Sequence, residues 1–179
     1  MKNLYIPILF LVLTITACEK EDPVIPNEEE LITTLIYELT PVAGGETITL
    51  KFTDLDGDGG NSPVYETSAL AANTVYNGSL TLLNELEDPA EDITEEVEEE
   101  ATEHQFFFIS DATGIEIELE DEDLDGNPVG IETSLETGSA TTGTLTIVLR
   151  HEPKKPNDGT IEDAGGETDI EVTFDIIIE

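Results

Sequence analysis

The chain has 179 residues, enough for one domain of ordinary size or two very small ones. Six basic residues stand against 42 acidic ones, a formal net charge of −36 at neutral pH. That balance excludes nucleic acid as a partner, because phosphate binding needs a basic surface, and it repels the domain from an anionic lipid surface. The absence of Trp, the abundance of Thr and Gly, and apolar alternation in several segments favour a β-rich fold over disorder.

The chain opens with a short basic start, Met1-Lys2-Asn3, and an apolar run from Leu4 to Ile15. That run is too short to span a bilayer as a helix and reads as a signal peptide over residues 1–17. Ile15-Thr16-Ala17 then precedes the only Cys, Cys18. This resembles a bacterial lipobox, in which the Cys is lipidated and becomes the first residue of the mature chain. Without another Cys there is no disulfide, so stability must come from the core. Glu19-Lys20-Glu21-Asp22 resembles the surface-export signal of Bacteroidota lipoproteins. Residues 18–30, with two prolines and a Glu run, read as an extended lipidated tether.

A single domain is expected over residues 31–179. Leu35, Tyr37 and Leu39 alternate with more polar neighbours, which predicts a strand over about 32–40. Ile48, Leu50 and Phe52 predict a second, running straight into Asp54-Leu55-Asp56-Gly57-Asp58-Gly59-Gly60. Residues 62–70 read as a weaker strand behind Pro63. Val75 to Leu83 reads as a fourth, with Leu80 and Leu82 on one face. Residues 85–103 hold eleven acidic residues and no basic one. Asp88-Pro89 looks like a cap and first helical position, and Ile93, Val97 and Ala101 form a narrow apolar stripe. These features predict a helix over 89–102.

The pattern then recurs. His104 to Ile109 and Ile115 to Leu119 read as strands, and the second runs into Asp121-Glu122-Asp123-Leu124-Asp125-Gly126-Asn127. Residues 131–135 and 143–148 read as two more. The spacing from Asp54 to Asp123 is close to that from Gly78 to Gly143, so the second copy is only slightly shorter between those marks. Register and face are preserved between the copies, so residues 31–88 and 103–153 read as pseudo-repeats of about four strands each. A closing strand over 168–178 carries Ile170, Val172, Phe174, Ile176 and Ile178 on one face. The expected fold is all-β, an antiparallel β-sandwich (Ig-like or related) with one acidic helix between the repeats. A β-barrel is the alternative.

Two constellations bear on chemistry. Asp54, Asp56 and Asp58, then Asp123, Asp125 and Asn127, place oxygen ligands on alternate residues of tight turns, the pattern of a Ca²⁺ loop. The match is partial: Tyr65 stands where an EF-hand would have its bidentate Glu, and Pro128 replaces the Gly in the second copy. The simpler reading of both is an Asp-Gly turn. The two His, His104 and His151, each continue an apolar face at a strand end. If those strands are neighbours, the imidazoles meet at a rim. They could then take Zn²⁺, Cu²⁺ or haem iron with Glu103 or Glu152; two separate, partly buried His are the plainer alternative. No nucleophile elbow, phosphate loop or spaced acid–base pair is present, so an enzyme is not expected. Sparse aromatics, mostly in phase with a core, weaken a glycan-binding reading.

The lipobox at Cys18, Asp54 to Gly60, Glu103-His104-Gln105, Arg150-His151-Glu152-Pro153 and Ala164 to Ile170 together resemble a family of small acidic outer-membrane lipoproteins of Bacteroidota. The resemblance implies a lipid-anchored protein of the outer membrane, displayed on the cell surface beside a TonB-dependent receptor or another surface protein. The function expected is non-catalytic binding of a ligand or metal ion, as an accessory to an outer-membrane transporter. A structural or adhesive module that meets another protein is the alternative.

Overall fold

The structure, a computed structural model, describes residues 31–57 and 59–179. The signal peptide, Cys18, the tether and Asp58 lie outside the described residues.

Ten strands and two short helices follow in chain order: β1 Thr34–Pro41, β2 Ile48–Thr53, β3 Val64–Glu66, β4 Val75–Asn84, β5 Glu91–Asp92, α1 Ile93–Glu99, β6 His104–Ser110, β7 Glu116–Leu119, β8 Glu132–Glu136, β9 Thr141–His151, α2 Ile161–Ala164 and β10 Glu167–Ile178. They form two antiparallel sheets that do not close into a barrel. One sheet runs β3-β2-β1-β4-β8-β7, with β5 also on β4; the other runs β10-β9-β6. The alternation that marks each strand puts its apolar face inward. Leu35, Tyr37 and Leu39 of β1 pack toward Phe106 of β6, Leu145 to Leu149 of β9 and Val172 to Ile178 of β10 in one continuous core. Ring contacts cross between the sheets, Tyr37 with Phe108 at 5.6 Å and Tyr65 with Phe174 at 5.9 Å. Burying such a layer is the main stabilising term. At one side the chain around Leu70 ties the sheets together, its N–H donating to Ile177 and its carbonyl accepting from Glu179.

The first repeat is a single four-strand sheet, but the second is divided. Its β7 and β8 extend the first sheet through β4, while β6 and β9 join β10 in the second. The duplication persists in the register. Tyr37 opposes Leu80 on β4, and Phe106 opposes Leu149 on β9. Phe106 follows Tyr37, and Leu149 follows Leu80, by the same offset that separates Asp123 from Asp54. The β1–β4 and β6–β9 ladders are thus related by one offset. By pairing, Gly78 corresponds to Ile147 rather than to Gly143. The shift is an even number of residues, so the faces agree either way.

The helix differs from expectation at both ends. Glu91 and Asp92 first pair with Asn84 and Leu83, so the chain is still extended there. Asp92, not Asp88, caps α1 by accepting from the Thr94 N–H. The apolar stripe holds: Ile93 and Val97 are buried and Ala101 packs against the core. Thr94 secures the helix to β4, its Oγ1 accepting from the Leu82 N–H at 2.9 Å. The loop after β9 carries α2, whose Ala164 and Ile161 cover Phe107 and Val148 on the outer face of the second sheet.

Candidate metal centre

β6 and β9 are antiparallel neighbours, and His104 directly opposes His151. Their ring centroids lie 4.7 Å apart at 75°. His104 is fully buried and His151 nearly so. The equivalent positions in the first repeat, reached by the same offset, hold Leu35 opposite Leu82, both fully buried. An apolar pair therefore satisfies this place in the architecture, and the second repeat spends it on two imidazoles.

A third group completes the cluster. The β9–β10 register shifts between Thr168 and Ile170, which makes Asp169 the extra residue of a β-bulge. A bulge re-aims a side chain that plain alternation would send outward. The Asp169 carboxylate is accordingly buried, with Oδ2 3.8 Å from His104 Nε2 and Oδ1 3.7 Å from His151 Nδ1. One ligand atom from each of the three falls within 4.8 Å of the others. The two histidine–carboxylate distances are a few tenths of an ångström longer than the edge of a tetrahedron with bonds of about 2.0–2.1 Å, on the order of 3.4 Å.

The surroundings hold the ligands in place. His104 Nδ1 lies 3.2 Å from the carbonyl of Glu100, the C-cap of α1. A carbonyl only accepts, so Nδ1 donates there, and Nε2 is the ring nitrogen that faces Asp169. Burial, and then the neighbouring His151, push the His104 pKa down, which keeps the ring neutral and able to ligate. Arg150 pins the turn that delivers Asp169, donating to the carbonyls of Gly165 and Gly166 and to the Thr168 hydroxyl. Glu103 and Glu152, both exposed, form a second cluster with His151 nearer the solvent. Two imidazoles and a carboxylate suit Zn²⁺, Cu²⁺, Ni²⁺ or Fe²⁺ rather than Ca²⁺.

The acidic loops are arranged differently. Asp54 Oδ1 accepts from the backbone of Gly57 at 3.0 Å, and Asp56 Oδ2 accepts from both the backbone and side chain of Asn61. These bonds close the turn. In the second loop Asp123 accepts from the N–H groups of Asp125 and Asn127 and from the Asn127 side chain. Its other oxygen meets the Lys155 ammonium at 3.1 Å, and that ammonium also donates to the Ala101 carbonyl. A cation already sits there, carried by the chain itself. Among the described residues, none of Asp54, Asp56, Asp123 and Asp125 joins a cluster of three His, Cys, Asp or Glu side chains.

Sequence reasoning found both His and their carboxylate neighbours Glu103 and Glu152. It missed Asp169, because period-two alternation with Ile170 inward puts residue 169 outward, and nothing in the local sequence announces the bulge. No family model, curated protein or solved structure matches this chain. What the fold and site define is a class: an all-β sandwich with a two-histidine, one-aspartate cluster at one end of its smaller sheet.

Proposed function

We propose that this chain is a non-catalytic, lipid-anchored protein of the outer-membrane surface that binds a divalent transition metal through His104, His151 and Asp169. The observation that carries the metal reading is the contrast between the His104–His151 pair, closed by the bulged Asp169, and the Leu35–Leu82 pair in its place in the first repeat. Buried polar groups are costly where an apolar pair fits, so the substitution calls for a function. Binding is favoured over turnover by the burial of both imidazoles, since a catalytic metal needs an open position for substrate. Anchorage rests on the sequence around Cys18, and service to an outer-membrane receptor rests on the lipoprotein resemblance.

The test is elemental analysis of protein purified without chelator, followed by Co²⁺ titration read by visible absorption. One equivalent of metal and a tetrahedral Co²⁺ spectrum, both lost in Asp169→Asn, are expected. Protein that stays metal-free, and shows no spectral change with excess Co²⁺ or Zn²⁺, would overturn the proposal.

A further inference from the structure

A cleft of about 470 Å³ opens where β2 runs out into the first acidic loop. Both sheets line it: Phe52 and the loop residues Asp54 to Gly57 on one side, Asp169 to Glu171 of β10 on the other. Its volume lies in the range of small-ligand and side-chain pockets. Three leucines around it, Leu31, Leu55 and Leu86, are 57 %, 48 % and 56 % exposed. They arrive from three separate parts of the chain, so their gathering is a product of the fold. Exposed apolar surface collected around a concavity marks a binding site rather than ordinary surface scatter.

The charges narrow the occupant. Asp54, Asp56 and Glu171 bring carboxylates to its rim, and among the described residues that line it none is basic. Asp54 and Asp56 are held by the amides of their own loop, so their carboxylates are set in position before any ligand arrives. Hydrogen bonds from Asn61, chiefly from its backbone, hold Asp56 below the usual carboxylate range and therefore ionised. An anionic ligand or lipid surface is repelled by this rim. A neutral apolar ligand would cover the carboxylates without pairing them. A bare metal ion has no use for three leucines.

We propose that the cleft docks a basic, amphiphilic peptide segment of a partner protein. A bulky apolar side chain enters between Leu31, Leu55 and Leu86 over Phe52 and Ile170, and flanking Lys or Arg groups pair with Asp54, Asp56 and Glu171. The apolar contact supplies selectivity, and the field of a strongly acidic protein speeds the encounter.

The experiment uses purified protein in EDTA, so that its outcome is separate from the metal reading. A short fluorescent peptide of alternating Leu and Lys is titrated and followed by anisotropy. A Lys/Ser peptide of the same charge and a Leu/Glu peptide serve as comparisons. The Leu/Lys peptide is expected to bind, with an affinity that falls with added salt and exceeds that of the Lys/Ser peptide by at least about tenfold. Leu55→Ser with Leu86→Ser should erase that difference, while Leu124→Ser, on the 99 % exposed leucine of the second acidic loop, should leave it intact. Glu171→Gln provides a second variant that keeps the leucines and should weaken binding severalfold. Equal binding of both Lys peptides, an unchanged affinity in the double Ser variant, or no binding of the Leu/Lys peptide would overturn the proposal.

Discussion

His104 and His151 occupy, one for one, the cross-strand positions that Leu35 and Leu82 hold in the first repeat. The two pairs sit on ladders related by a single offset along the chain, so the comparison is internal to one molecule. It gives a direct way to separate function from packing. If the imidazoles serve a metal, reverting the site to the first repeat's solution should remove binding without harming the fold. His104→Leu, His151→Leu and Asp169→Ala combined should abolish metal uptake. Without metal, this variant should be as stable as the wild type or more stable by about 1 kcal/mol, as when buried charged groups give way to well-packed apolar ones. Urea denaturation in EDTA measures this.

Metal should stabilise the wild type by mass action. At a free concentration of about 100 times Kd the gain is about 2.7 kcal/mol, which raises Tm by roughly 5–10 °C for a chain of this size. Asp169→Asn preserves shape and removes the charged ligand, so its melting curve should be the same with and without Zn²⁺. Differential scanning calorimetry distinguishes the two.

The turn that leads into the bulge can be tested without replacing a ligand side chain. Gly166 has φ +75°, and a Cβ there would clash with the His151 carbonyl. Gly166→Ala should therefore cost about 2 kcal/mol or more, from backbone strain together with that clash. Arg150→Met frees the carbonyls of Gly165 and Gly166 and should lower metal affinity on the order of tenfold by loosening Asp169. Isothermal titration with Zn²⁺ reads that effect, and an unchanged affinity would show that the turn holds Asp169 without Arg150.

The Lys155–Asp123 pair predicts an acid-sensitive contribution to stability. Burial alone would raise the Asp123 pKa, but the Asn127 amide, Lys155 and the Asp125 amide together outweigh it and hold the carboxylate low. The folded value lies below the unfolded one. The stabilisation is therefore complete above the unfolded value, near 3.8, and is lost as pH falls through the lower folded value. Lys155→Met should cost about 2 kcal/mol at neutral pH, because it removes the cation paired with a buried carboxylate that keeps its bonds from Asp125 and Asn127. That cost should shrink toward zero in strong acid, where Asp123 is neutral in both proteins. A pH series of urea melts checks the sign.

Tyr37 tests the core between the two repeats. Its buried hydroxyl bonds to Thr133 Oγ1 at 2.7 Å, linking β1 to β8. Tyr37→Phe should cost about 1 kcal/mol, since it leaves a buried Thr hydroxyl to find another partner. Thermal denaturation of the single variants and of Tyr37→Phe with Thr133→Val should show the double change recovering part of that loss.

Much of this molecule could be read from residue order because its determinants are local. Alternation at period two placed β1, β2, β4, β6, β7, β9 and β10 and their inward faces, since a strand face is fixed by residue parity. The stripe Ile93, Val97, Ala101 located the buried side of α1 for the same reason at helical period. The duplication was visible as conserved phase, and both histidines could be assigned to a core face. The remainder depended on contacts between distant residues. Which strands of the second repeat joined which sheet was settled by pairing across the fold, and so was the adjacency of His104 and His151. Asp169 reached them only because β10 carries one more residue than β9 at the bulge, a mismatch between two strands that neither strand's sequence contains. In the same way, Lys155 reaches Asp123 of the second acidic loop from 32 residues away. Sequence determined the elements and their faces; tertiary structure decided which charges and ligands meet, because that is a property of pairs.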